Sequence, residues 1–201
     1  MRVSSILRKF STVLLLAGAV VLGCCAFVIA RAHVFQWREA RFLAFLLTGA
    51  RQGAQAGHAD NLPAREPRPK LGALFGELQI PRLNLDTIVV QGDDSSILRS
   101  GAGHIPYTAM PDDPGGNVAI AAHRDSYFRP LRLIRPDDLI VIKTPAGVHR
   151  YRVQSIRVTR PGDIALLDNT GQRTLTLVTC YPFYYVGSAP DRFIVRATAA
   201  D

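Results

Sequence analysis

Cys180 closes the run Thr174-Leu175-Thr176-Leu177-Val178-Thr179, and Arg192 follows on the next apolar run. His123 stands upstream, at the end of another strand-like segment. These three types together suit acyl transfer. A thiol attacks carbonyl carbon as thiolate, helped by a base or a nearby cation. A fixed guanidinium can hydrogen-bond the oxygen that gains negative charge in the tetrahedral intermediate, and Thr179 could help position the same group. At ordinary acidities, near 8.5 for Cys and 6.5 for His, the ion pair makes up only about 1% of the doublet. The site must shift those values or run on a minor form.

The other histidines compete for the role. His33 and His58 precede the folded region, His149 follows a turn, and His104 in Gly103-His104-Ile105-Pro106 is the serious rival. Other chemistries fit less well. His123-Arg124-Asp125 has Pro130 where a kinase loop needs its metal-binding asparagine, and no glycine-rich loop precedes it. One cysteine and scattered histidines do not make a zinc site. A papain-like order would place the cysteine before the histidine.

Residues 10–30 carry no charge, enough to span a bilayer as a helix. Arg2, Arg8 and Lys9 precede them and favour a cytoplasmic N-terminus, although Arg31 and Arg38 weaken the asymmetry. An uncleaved signal anchor is expected, because the run is longer than a signal-peptide core. Cys24 and Cys25 then lie inside the membrane and cannot bridge to Cys180. A lone thiol in a compartment that favours disulfides is either buried and inert or used. The formal charge of +8 is nearly all arginine. Its carriers are scattered singly and no aromatic RNA-binding signature accompanies them, which argues against nucleic acid; an anionic surface explains the charge as well.

The expected organisation is a cytoplasmic tail (1–9), a transmembrane segment (10–30), a juxtamembrane helix and linker (31–70) and one domain (71–201). Apolar residues at helical spacing over 35–47 predict either an amphipathic helix at the membrane surface, with Trp37 at the interface, or a helix of the core. The Ala-, Gly-, Pro- and Arg-rich stretch 49–70 predicts a flexible tether. Strands are expected at 77–80, 87–91, 117–121, 139–143, 149–158, 173–179 and 192–197, with weak helical signals at 95–100 and 127–134. Such spacing indicates a barrel or sandwich. Alternation sets Leu175 and Leu177 on one face and Cys180 on the other, and separates Phe193 and Val195 from Arg192. Cys180 and Arg192 should therefore point away from the core.

Thr176-Leu177-Val178-Thr179-Cys180 resembles the T-L-x-T-C signature of sortases, and Arg192-Phe193-Ile194-Val195 resembles the strand that carries their arginine. Ala122-His123-Arg124-Asp125-Ser126-Tyr127-Phe128 is similar to their histidine segment, with Ala122 where many members have glycine. The likeness covers 76–197, including Ile80-Pro81. Tyr181-Pro182-Phe183 and Ala189-Pro190 look most like class D sortases of Gram-negative bacteria.

The resemblance implies an all-β fold, an eight-stranded antiparallel β-barrel with short helices behind an N-terminal transmembrane helix. It also implies a cysteine transpeptidase. Cys180 would attack the threonine carbonyl of an LPxTG-like motif, His123 would donate the proton, and Arg192 would hold substrate and oxyanion. The partners implied are an exported protein with a C-terminal sorting motif and an amine on the cell surface or on another protein. The catalytic domain would lie outside the cytoplasm, with no cofactor and no metal. Two alternatives remain: a tethered peptide-binding barrel without turnover, and a cysteine peptidase that uses water as acceptor.

Overall fold

Short alternating segments separated by Pro and Gly turns form strands here because each has one face to bury and no length to form a helix core. The computed structural model describes residues 2–55 and 68–200. After helix α1 (Arg2–Gln55) come β1 (Leu74–Ile80), β2 (Leu85–Gln91), a one-turn α2 (Ser95–Leu98), β3 (Ala102–His104) and β4 (Gly116–Ala121). They are followed by β5 (Leu139–Thr144), β6 (Gly147–Thr159), β7 (Arg173–Tyr181) and β8 (Asp191–Ala199). Around the closed barrel the order is β1-β2-β3-β4-β7-β8-β6-β5.

The barrel is not wholly antiparallel, which corrects the expectation. β2 with β3 and β4 with β7 run parallel. Parallel neighbours cannot be joined by a tight turn. The chain therefore crosses through α2 between the first pair, and through β5 and β6 between the second.

The interior is filled by Phe75, Leu78, Ile80, Val118, Ile120, Leu175, Leu177 and Val195, all at most 2% exposed. A 3-10 turn at Arg129–Leu133 lies within the stretch expected to be helical. Phe128 and Leu131 pack from it into the same core at 0% exposure. This packing holds the loop that begins at His123.

Helix α1 is one continuous element through the segments read as membrane span and juxtamembrane helix. Phe10–Arg41 is long and apolar enough to cross a bilayer. Its large apolar side chains, such as Leu15 and Leu22, are exposed, so the stretch lacks a protein cover that water would require. The helix then packs on the barrel. Gln36 donates to Ser100 O at 2.5 Å and accepts from Ile88 N at 2.7 Å. A Cβ at Gly101 would lie 2.7 Å from Ile88 O and 2.8 Å from the Gln36 amide nitrogen, so glycine leaves room for this contact. Leu43 is buried, whereas Trp37 stays exposed with the Arg41 guanidinium 4.6 Å above its ring. The stretch expected as a tether is helical as far as Gln55; residues 56–67, including His58, lie outside the described residues.

Candidate active site

Strand pairing builds the site. β7 lies between β4 and β8, and Cys180 is directly opposite Arg192 in the antiparallel β7–β8 ladder. On the other side, Ala121 is level with Val178 in the parallel β4–β7 ladder. The ladder and β4 end at Ala121, and His123 follows two residues beyond that end. Neighbouring strands are about 4.8 Å apart, so thiol and guanidinium share a transverse row, and the imidazole is carried just past the end of the strand on the other side of β7.

Local bonds fix this arrangement. The Ala122 amide donates to Val178 O at 3.3 Å, and the Thr179 hydroxyl donates to Ala122 O at 2.7 Å. His123 O accepts from Phe128 N at 3.0 Å, which closes the turn after the histidine. Ala122 is buried and does not belong to the residues with left-handed backbone, so its methyl group causes no strain there.

Alternation carries through to the outer face. Leu175 and Leu177 are fully buried and Thr179 nearly so, whereas Val178 and Cys180 are half-buried. The outer face is partly covered all the same: Thr176 is fully buried and donates to Asn117 Oδ1 at 2.7 Å. His123 and Arg192 are half-buried too. Arg192 Nη1 donates to Asp191 O at 3.0 Å and reaches Ala189 O at 3.4 Å. Among the described residues neither the Cys180 sulfur nor the His123 ring makes a side-chain hydrogen bond. Apo catalytic contacts are often long and tighten with substrate. The arrangement suits a nucleophile flanked by a proton donor and an anion-binding group.

The rival histidines lie elsewhere. His104 is buried, its Nδ1 2.8 Å from Gln91 Oε1 and its Nε2 3.0 Å from both Thr108 Oγ1 and Ala109 O, with Phe75 stacked on the ring. Burial pushes it down to about 4, despite the Ala109 carbonyl, so it stays neutral. His149 is also pushed down by burial, beside Asp112 and Arg173. A polar cavity of about 330 Å³ opens among Tyr107, Asp113, Gly116 and Asn169. It lies at the opposite end of β4 from the row.

Residues 78–200 match the sortase domain family. The chain belongs to the sortase family.

Among relatives, sortase D of Bacillus subtilis is 31% identical over 64% of this chain and 65% of its own. Sortase SrtE1 of Streptomyces coelicolor is 33% identical over 55% of this chain and 37% of its own. The matched region thus spans less than two thirds of these relatives' lengths. A Clostridium perfringens sortase D5 structure aligns at TM-score 0.59 and 30% identity, covering 66% of this chain and 82% of that one. The S. coelicolor sortase E1 structure aligns at 0.58 and 32%, covering 65% and 90%. Sortases D of Bacillus subtilis and Clostridium perfringens, both Gram-positive, supply the class D likeness.

Within this sortase domain, one contact next to His123 was missed by sequence reasoning. Arg124, next to His123, donates from Nη2 to Tyr185 O at 2.7 Å and to Gly187 O at 3.0 Å. Its type was visible beside the histidine, but its partners on the β7–β8 loop are distant in sequence and carry no signal.

Proposed function

We propose that this chain is a membrane-anchored cysteine transpeptidase that cleaves an LPxTG-like sorting motif and transfers the acyl fragment to an amine. The observation that carries the reading is that Cys180 pairs with Arg192 across β7–β8, while His123 follows the end of β4, the strand on the other side of β7. The S. coelicolor relative was solved with a tripeptide in its active site, which supports an extended peptide as the ligand class here.

In the proposed cycle the Cys180 thiolate attacks the threonine carbonyl carbon. The oxygen gains negative charge, and the free donors of Arg192 hydrogen-bond it. Collapse breaks the C–N bond, and protonated His123 gives its proton to the departing amine, which leaves a thioester. An incoming amine attacks that thioester and loses a proton to His123. The new amide forms, and Cys180 departs as thiolate. Protons balance over the cycle, and no redox partner is needed.

The helix Phe10–Arg41 supports a single-pass anchor. Arg2, Arg8 and Lys9 before it favour a cytoplasmic N-terminus and a barrel outside the cytoplasm, on the periplasmic side in a Gram-negative cell. The partners are an exported protein with a C-terminal sorting motif and an amine acceptor.

The test is incubation of the full chain in detergent with an LPxTG peptide, followed by intact-mass analysis. A thioester adduct on Cys180, absent in Cys180→Ala, is expected. An adduct that survives Cys180→Ala sinks the proposal. Product ratios with and without triglycine distinguish a transpeptidase from a peptidase that uses water.

A further inference from the structure

The loop 182–190 joins the strand that carries Cys180 to the strand that carries Arg192. Its tip is apolar and open to solvent: Tyr184 is 76% exposed and Val186 97%, with Tyr185 between them at 46%. Exposed apolar side chains grouped in this way, on the loop that follows the Cys180 strand, mark a contact surface. The base of the loop is anchored by aromatic packing, with Phe183 5.1 Å and Tyr181 6.1 Å from the Phe193 ring. The tip lacks such packing. It is held by Arg124, whose Nη2 donates to the carbonyls of Tyr185 and Gly187, on either side of Val186. Among the described residues Arg124 Nε is buried without a partner. An unpaired buried donor is unfavourable, so the side chain is oriented for the two carbonyls at the expense of its own hydrogen bonding.

We infer that Arg124 is a positioning residue that holds the apolar tip of the β7–β8 loop where it grips an extended peptide next to Cys180. The inference rests on the transpeptidase reading, and it assigns substrate affinity to a residue that does not touch the reacting atoms. Removing the guanidinium frees the tip and leaves the strand row intact, so binding should suffer more than chemistry.

The experiment compares wild type, Arg124→Ala and Arg124→Lys as full chains in detergent. Hydrogen exchange of the amides in 183–188 reads the loop. Anisotropy of a fluorescein-labelled LPxTG peptide, in a Cys180→Ala background, reads affinity, and steady-state kinetics separate KM from kcat. Arg124→Ala should speed exchange in the loop and raise Kd and KM about tenfold, a typical effect of losing charge-assisted bonds. It should leave kcat within about twofold, and Arg124→Lys should recover part of the affinity. Unchanged loop exchange, or a lower kcat at unchanged KM, would overturn the inference. A wild type that forms no thioester refutes the transpeptidase reading, and the exchange data still decide whether Arg124 holds the loop.

Discussion

The Thr179 hydroxyl donates to the carbonyl of Ala122 at 2.7 Å, so the residue before Cys180 holds the residue before His123. This bond crosses the parallel β4–β7 seam at the point where the β4 ladder ends. Replacing Thr179 with Val keeps the shape, removes the donor and leaves a buried carbonyl unpaired. Loss of about 1–2 kcal/mol of stability is expected. Turnover should fall further than such a loss explains, because the loop that starts at His123 is then freed from the strand that carries Cys180. Urea unfolding beside kcat measurements checks this; a matched loss in Thr179→Ser, which keeps the hydroxyl, would contradict it.

Arg192 uses Nη1 on the Asp191 and Ala189 carbonyls. Lysine has one nitrogen and cannot hold the loop and meet an oxyanion at once. Arg192→Lys should therefore lower kcat roughly 10²-fold. Alkylation of Cys180 by iodoacetamide should proceed as in wild type, since that reaction forms no oxyanion. Single-turnover acylation measured beside alkylation separates the two; parallel losses in both would point to a disturbed thiol instead.

His104 supplies a pH signature. Its folded value is pushed from 6.5 to about 4 by burial, so between these values the unfolded chain binds the extra proton. Stability from this group is fully present above 6.5 and declines as the pH falls towards 4. The loss at pH 5 relative to pH 7 should be on the order of 2 kcal/mol. His149, pushed down as well, acts in the same direction. Unfolding free energies from pH 7 to 5 should flatten in His104→Gln; an unchanged slope would contradict the assignment.

Gln36 ties helix α1 to the barrel through Ile88 N and Ser100 O. Gln36→Ala leaves the Ile88 amide without that partner, and faster exchange of this amide is expected. Gln36→Glu keeps an acceptor for Ile88 but sets a carboxylate oxygen, which cannot donate, against the Ser100 carbonyl oxygen, so it should rescue little. Hydrogen exchange of full chains in detergent reads both. Protection equal to wild type in both variants would show that the helix packs without this clamp.

Much of the fold was legible because its signals are local. Alternation with Pro and Gly punctuation marked seven of the eight strands, with ends displaced by a few residues. β3 was missed. Its three residues are too short for a pattern to develop, and its Gly103 is demanded by a distant carbonyl, since a Cβ there would lie 2.1 Å from Gly92 O. The two parallel pairings were missed for a related reason. Direction depends on how crossovers pack, and no stretch of residues encodes that by itself.

The site divides in the same way. Types and phases could be read directly: a thiol on the face opposite Leu175 and Leu177, an arginine on the next strand, and a histidine at a strand end. The separation of His104 from the site could not. Both histidines follow short apolar stretches, and only the enclosure of one by Gln91, Thr108 and Phe75 sets them apart.

By itself the chain of residues determined which segments become strands, which apolar run can enter a bilayer, and which side chains are chemically able to act. Those properties follow from side-chain period and solvation over a few residues. Tertiary structure alone decided that β4 lies parallel against β7, that Arg124 reaches the β7–β8 loop, and that α1 clamps the barrel through Gln36. These contacts join positions more than fifty residues apart. Their free energy exists only once the barrel has closed and the entropy of joining distant segments has been overcome.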